Sequence, residues 1–112
     1  MATKVINANG STAIGDSGSG NVTTKVIQFE MSGGFDGNIT IQGRKRGSSL
    51  GFVALPYRRR YVNGAVGDEA FGSAVITANS LVEVNAAGVE LNLLTAGRTT
   101  GSVAVETDDL NG

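Results

Sequence analysis

The sequence predicts an all-β protein: an antiparallel β-sandwich of about seven or eight strands with an extended Gly/Ser-rich N-terminal segment. Three observations lead there. Apolar residues alternate with polar ones in run after run, the period of a strand with one buried face. Seventeen glycines are spread through 112 residues, too densely for stable helices. The runs are short and are separated by turn-forming residues, which is the spacing of a sandwich or small barrel.

The elements follow in chain order. Thr3–Ile6 reads as a short strand. Residues 7–21 hold four glycines, three serines and three asparagines, with only Ala8, Ala13 and Ile14 apolar. Such a stretch buries too little to order itself, so it reads as a flexible loop or as an arm ordered by a neighbour. A strand beyond such a linker can add to the sheet of another subunit. The division is therefore 1–21 as N-terminal strand and loop or arm, and 22–112 as the sandwich domain.

Val22 to Met31 places Ile27, Phe29 and Met31 on one face and Gln28 and Glu30 on the other. Asn38 to Arg46 sets Ile39 and Ile41 against Thr40, Gln42, Arg44 and Arg46. Asp36-Gly37 stands between these strands, where glycine supplies a positive φ without strain. Gly47-Ser48-Ser49 marks the next turn. Gly51 to Val62 offers Val53, Leu55 and Tyr57 as an inward set, with Arg58 and Arg60 opposite. Pro56 falls inside that pattern and lacks a ladder donor, which puts the strand at an edge or in a bulge. Asn63-Gly64 is a short hairpin signal. Asn85-Ala86-Ala87-Gly88 divides Leu81–Val84 from a strand carrying Val89, Leu91 and Leu93 inward. Thr95-Ala96-Gly97-Arg98 precedes a last strand with Val103 and Val105 inward.

Composition excludes several functions. There is no Cys, hence no disulfide, thiolate nucleophile or zinc finger, and no His, hence no imidazole base or usual transition-metal site. Ten acids stand against nine bases for a net charge of −1, so no global field draws the chain to nucleic acid or anionic membrane. The longest nearly apolar stretch, Gly51 to Tyr57, is far shorter than the ~20 residues of a membrane span. The N-terminus lacks the apolar core of a secretory signal. The expectation is a non-enzymatic protein made in a cytoplasm, with no cofactor.

The concentrated charge is basic. Arg44-Lys45-Arg46 and Arg58-Arg59-Arg60 read as two separate patches, fitted for an acidic partner or for a solvated strand face that resists edge pairing. Without interleaved aromatics they do not read as a nucleic-acid surface. The partner-binding candidates are Lys4, Val5 and Ile6 in the first strand and Arg44, Arg46, Arg58, Arg59 and Arg60 in the patches. The acids Asp16, Asp36, Asp68-Glu69 and Asp108-Asp109 lack calcium-loop spacing, and turn and tail chemistry accounts for them without a metal. Tyr57 and Tyr61 fall on one alternation face, a possible sugar platform, which keeps a carbohydrate-binding sandwich as an alternative.

The run from Phe29 to Arg44, FEMSGGFDGNITIQGR, resembles a pattern of small tailed-bacteriophage virion proteins, in which a strand ends in a glycine-containing hairpin and a second strand closes on glycine. Val82 to Leu93 and Thr99 to Val105 resemble later strands of such proteins, so the likeness covers residues 22–107 loosely. It implies a virion structural protein: a capsid decoration (cement) protein that binds between capsomers as a homo-oligomer, or a tail, neck or fibre component. The implied partner is the major capsid protein or another virion protein, with no nucleic acid and no membrane. Where relatives often carry Trp in the third strand, this chain has Phe52 and Tyr57, and Arg58-Arg59-Arg60 matches no family motif. No family site residue transfers by position.

Overall fold

A computed structural model describes residues 3–16, 22–62, 65–66, 71–72 and 75–111. The described residues form strands without helix: β1 (Thr3–Ile6), β2 (Gly10–Asp16), β3 (Val22–Ser32), β4 (Asn38–Lys45), β5 (Val53–Ala54), β6 (Tyr57–Val62), β7 (Ala65–Val66), β8 (Phe71–Gly72), β9 (Ser80–Asn85), β10 (Val89–Ala96) and β11 (Ser102–Asn111). Eight of these have four or more residues, in keeping with the expected seven or eight. They make two antiparallel sheets. The larger runs β1-β11-β3-β9-β6-β7, with β8 also on β6, and the smaller runs β2-β10-β4-β5.

The alternation seen in the sequence becomes the core between the sheets. Ile27 and Phe29 from β3, Val82 and Val84 from β9, and Val103 and Val105 from β11 face Ile39 and Ile41 of β4 and Leu91 and Leu93 of β10, all at most 2% exposed. Each such side chain contributes roughly 1.5–3 kcal/mol over its exposed state.

Four expectations are corrected. First, the N-terminal region is part of the sandwich: β1 pairs with the chain's own β11, and residues 10–16 of the expected loop or arm form β2 against β10. Asn9 fastens this stretch further, exchanging hydrogen bonds of 2.9 and 3.1 Å with the backbone of Arg98. Residues 17–21 lie outside the described residues. Polar Gly/Ser sequence orders here because an edge strand needs only its backbone ladder and one inward side, supplied by Ile14 at 5% exposure.

Second, β3 and β4 are not hairpin partners. They belong to opposite sheets, as do β9 and β10, and β10 and β11. The 33–37 connection crosses the sandwich, and its positive φ angles sit at Gly33 (66°) and Gly34 (73°), not at Gly37. Gly37 is needed for space: a Cβ there would lie 3.0 Å from the Ala96 carbonyl and 2.9 Å from the Phe35 ring.

Third, the run from Gly51 to Val62 is two strands. The break comes at Leu55-Pro56, sending β5 to the edge of the smaller sheet and β6 into the larger one, where β9 flanks it on one side and β7 and β8 on the other. Val53, expected inward, is 60% exposed on this edge. Leu55 takes the inward place, filling the space a side chain on Gly43 would need.

Fourth, Tyr57 and Tyr61 end on different faces. A bulge between Arg59 and Tyr61 reverses the alternation, so Tyr57 is 2% exposed and Tyr61 47%. The β6–β7 pairing of Val62 with Ala65 is that of a hairpin, though Asn63-Gly64 itself lies outside the described residues.

Candidate interaction surfaces

The predicted partner-binding residues are distributed over three places. In β1, Ile6 is a core residue at 3% exposure, which corrects its place among the docking candidates. Val5 points outward at 62% exposure, and Lys4 Nζ donates to the Ala13 carbonyl of β2 at 2.6 Å, tying together the two strands on either side of the first turn.

Arg44 lies on the outer face of the smaller sheet. Its cross-strand neighbour is Glu90, with which it forms an ion pair through Nε. Nη1 donates to the Leu50 carbonyl at 2.9 Å, and the guanidinium stacks 4.4 Å from the centre of the Phe52 ring. The carboxylate of Glu90 also accepts from the Gly47 N–H at 3.5 Å. The charge of Arg44 is therefore spent on folding residues 47–52 back over the sheet, beside a depression of about 430 Å³ lined by Ser11, Ala13, Phe52 and Asn92. Arg46 follows the end of β4, its N–H bonded to the Gly88 carbonyl at 3.0 Å. Its Nε and Nη2 are enclosed without a hydrogen-bond partner.

Arg58, Arg59 and Arg60 are adjacent in sequence, with Arg58 and Arg59 on opposite faces by alternation and Arg60 in the bulge that follows. Arg58 stands opposite Glu83 of β9 and pairs with it on the outer face of the larger sheet. Arg60, half exposed, reaches the same carboxylate at 3.7 Å. Arg59 turns inward instead, where Nε and Nη2 donate to the Tyr57 hydroxyl at 3.2 and 2.9 Å. The triplet thus yields two outward cations sharing one anion. As expected, Arg44 and Arg58–Arg60 make separate patches, because they lie on different sheets.

The structure adds residues that local reading passed over. Glu106 and Asp108 of β11 and Glu30 of β3 are exposed, and the register places them on the same outer face as Arg58 and Arg60. Charge alternation in the last strand was the available signal, but its position opposite β3 arises from strand order. Between the acidic and basic halves is a shallow depression of about 280 Å³ lined by Gln28, Glu30, Tyr61, Asn79 and Leu81.

Asp36 has a structural task of its own. Its carboxylate accepts from the Thr99 hydroxyl and from the backbone N–H groups of Thr99 and Thr100. These bonds hold its pKa down, at about 2. This is the turn chemistry expected of the acidic residues, acting across the fold instead of within one turn. Asp68 and Glu69 lie outside the described residues.

The fold and surface define a two-sheet antiparallel β-sandwich whose outer faces carry the Arg44–Glu90 pair on one sheet and Arg58, Glu83, Glu106 and Asp108 on the other. No family model matches the chain, and no curated protein matches it. Among solved structures it is similar to the SPBc2 prophage-derived protein YomS, with a TM-score of 0.60 at 11% identity, over 96% of this chain and 92% of that one.

Proposed function

We propose that this chain is a non-enzymatic structural protein of a bacteriophage particle, in the first place a capsid decoration protein that binds between capsomers. The observation that carries the reading is the likeness to a prophage-derived protein over nearly the full length of both chains, at an identity where the fold alone is shared. The use of the charged groups supports it. Glu83 and Glu90 are committed to cross-strand ion pairs, and Asp36 is held ionised as a turn clamp, where a general acid needs a raised pKa. A decoration protein works by mass action: each copy buries surface on adjacent shell subunits, so the assembled shell is favoured in proportion to occupancy. Repetition over a symmetric shell then adds avidity.

The test is the copy number of this chain in purified particles, measured by quantitative mass spectrometry against the major capsid protein. A ratio near one to one supports shell decoration. A handful of copies per particle moves the protein to the neck, tail or a fibre. Absence from particles refutes a virion role.

A further inference from the structure

We propose that the outer face of the larger sheet is self-complementary and pairs with a second copy of this chain, about a two-fold axis that runs along the strands between β3 and β9. The proposal concerns the isolated chain and stands apart from any role in a particle.

The register supplies the geometry. Across the face, one row runs Asp108, Val26, Glu83, Arg58 on β11, β3, β9 and β6. The next runs Glu106, Gln28, Leu81, Tyr61 on the same strands, with Arg60 in the bulge beside it. The β11–β3 half carries Glu30, Glu106 and Asp108, none of them in an ion pair among the described residues. The β9–β6 half carries Arg58 and Arg60 against a single Glu83. The β11 end of both rows is therefore acidic, and the β6 end carries Arg58 in the first row and Arg60 beside Tyr61 in the second, with Glu83 between them.

A two-fold axis midway between β3 and β9 lays β11 of one copy over β6 of the other and β3 over β9. It keeps each row in place. Asp108 then faces Arg58 and Glu106 faces Arg60, and both contacts occur twice, as an isologous interface requires. Near the axis Gln28 lies over Leu81, and Val26 over Glu83, whose carboxylate is already in its ion pair with Arg58. The strands that the axis lays over one another, β11, β3, β9 and β6, are three spacings wide, about 14 Å, and the six residues of β9 and of β6 run about 20 Å. That overlap, about 300 Å² per partner before flanking contacts, is below the ~800 Å² of a standard interface, so the pairing is a weak one that depends on concentration. Opposite charge at this surface sets register and partner choice more than raw affinity.

The test is sedimentation of the full chain with two charge reversals, E106R and R60E, each checked for wild-type circular dichroism. R60E leaves the Arg58–Glu83 pair in place. The wild type is expected to dimerise, each variant alone to bind itself ~10-fold or more weakly, and an equimolar mixture of the two to recover a heterodimer. A wild type that stays monomeric, variants that dimerise like the wild type, or a mixture that fails to recover each overturns the proposal. Should a variant misfold, the wild type alone decides: its dimer must weaken as salt rises, and a salt-indifferent dimer refutes the pairing.

Discussion

The Asp36 carboxylate accepts the backbone N–H of Thr99 at 2.8 Å and that of Thr100 at 3.1 Å, with the Thr99 hydroxyl on its second oxygen. Asp36 belongs to the connection from β3 to β4, and Thr99 to the one from β10 to β11. Both connections cross between the sheets, so the contact fastens them together at one end of the sandwich.

This clamp makes stability depend on acid. The Asp36 carboxyl titrates at about 2 in the fold against 3.8 ordinarily, because its hydrogen bonds favour the charged form. A depressed folded pKa contributes stability that is complete above the unfolded value and lost as pH falls through the folded one. The melting temperature of the wild type is expected to fall between about pH 4 and 2 more than that of Asp36→Asn, the two curves converging near pH 2. Parallel curves would show that Asp36 contributes nothing through its charge.

Gly101 sits beside this clamp with φ at 82°, and a Cβ there would drive into the Phe35 backbone and lie 2.7 Å from the Ser32 carbonyl. Gly101→Ala should cost about 2–4 kcal/mol, from left-handed backbone strain and overpacking together. Gly34→Ala, at φ 73° with open space around it, should cost only about 1 kcal/mol. Urea midpoints with unchanged slopes separate the two. Equal costs would show that the close approach carries no weight.

The two tyrosines should respond differently to loss of the hydroxyl. Tyr57→Phe removes the acceptor that two Arg59 N–H groups share in a half-buried site, at a cost of about 1–2 kcal/mol. Tyr61→Phe, on the exposed face, should stay within about 0.5 kcal/mol of the wild type. Thermal unfolding of both variants reads the difference directly.

Leu93 and Leu50 are chemically identical and placed oppositely, at 0% and 74% exposure. Leu93→Ala is expected to lose 2–5 kcal/mol, an order-of-magnitude figure for a deleted core side chain, and Leu50→Ala to remain within about 0.5 kcal/mol. A large loss at Leu50 would reveal a contact that the folded monomer does not contain.

Much of the core was legible before any coordinates. Ile27 with Phe29, Ile39 with Ile41, Leu91 with Leu93 and Val103 with Val105 were inward by alternation and are buried. Val53 was placed inward by the same rule and is exposed, because alternation states which residues share a face and not which face is covered. An edge strand of two residues has little to cover it. The candidate site was legible only in part. The arginine triplet is visible as a run of letters and alternation puts Arg59 on the face of Tyr57, but the bulge after Arg59 that turns Tyr61 outward leaves no local mark.

Sequence by itself determined the all-β class, the absence of Cys and His chemistry, most of the inward residues, and the division of basic charge into two patches. These depend on composition and on period, which a single chain carries along its length. Tertiary structure decided that β3 and β4 part to opposite sheets, that residues 10–16 close the smaller sheet, and that Glu106 and Asp108 share a face with Arg58 and Arg60. Each of those is a pairing between distant segments. It is settled by which strands bury the most apolar surface together and complete each other's hydrogen-bond ladders, a property of the whole fold and not of any one run.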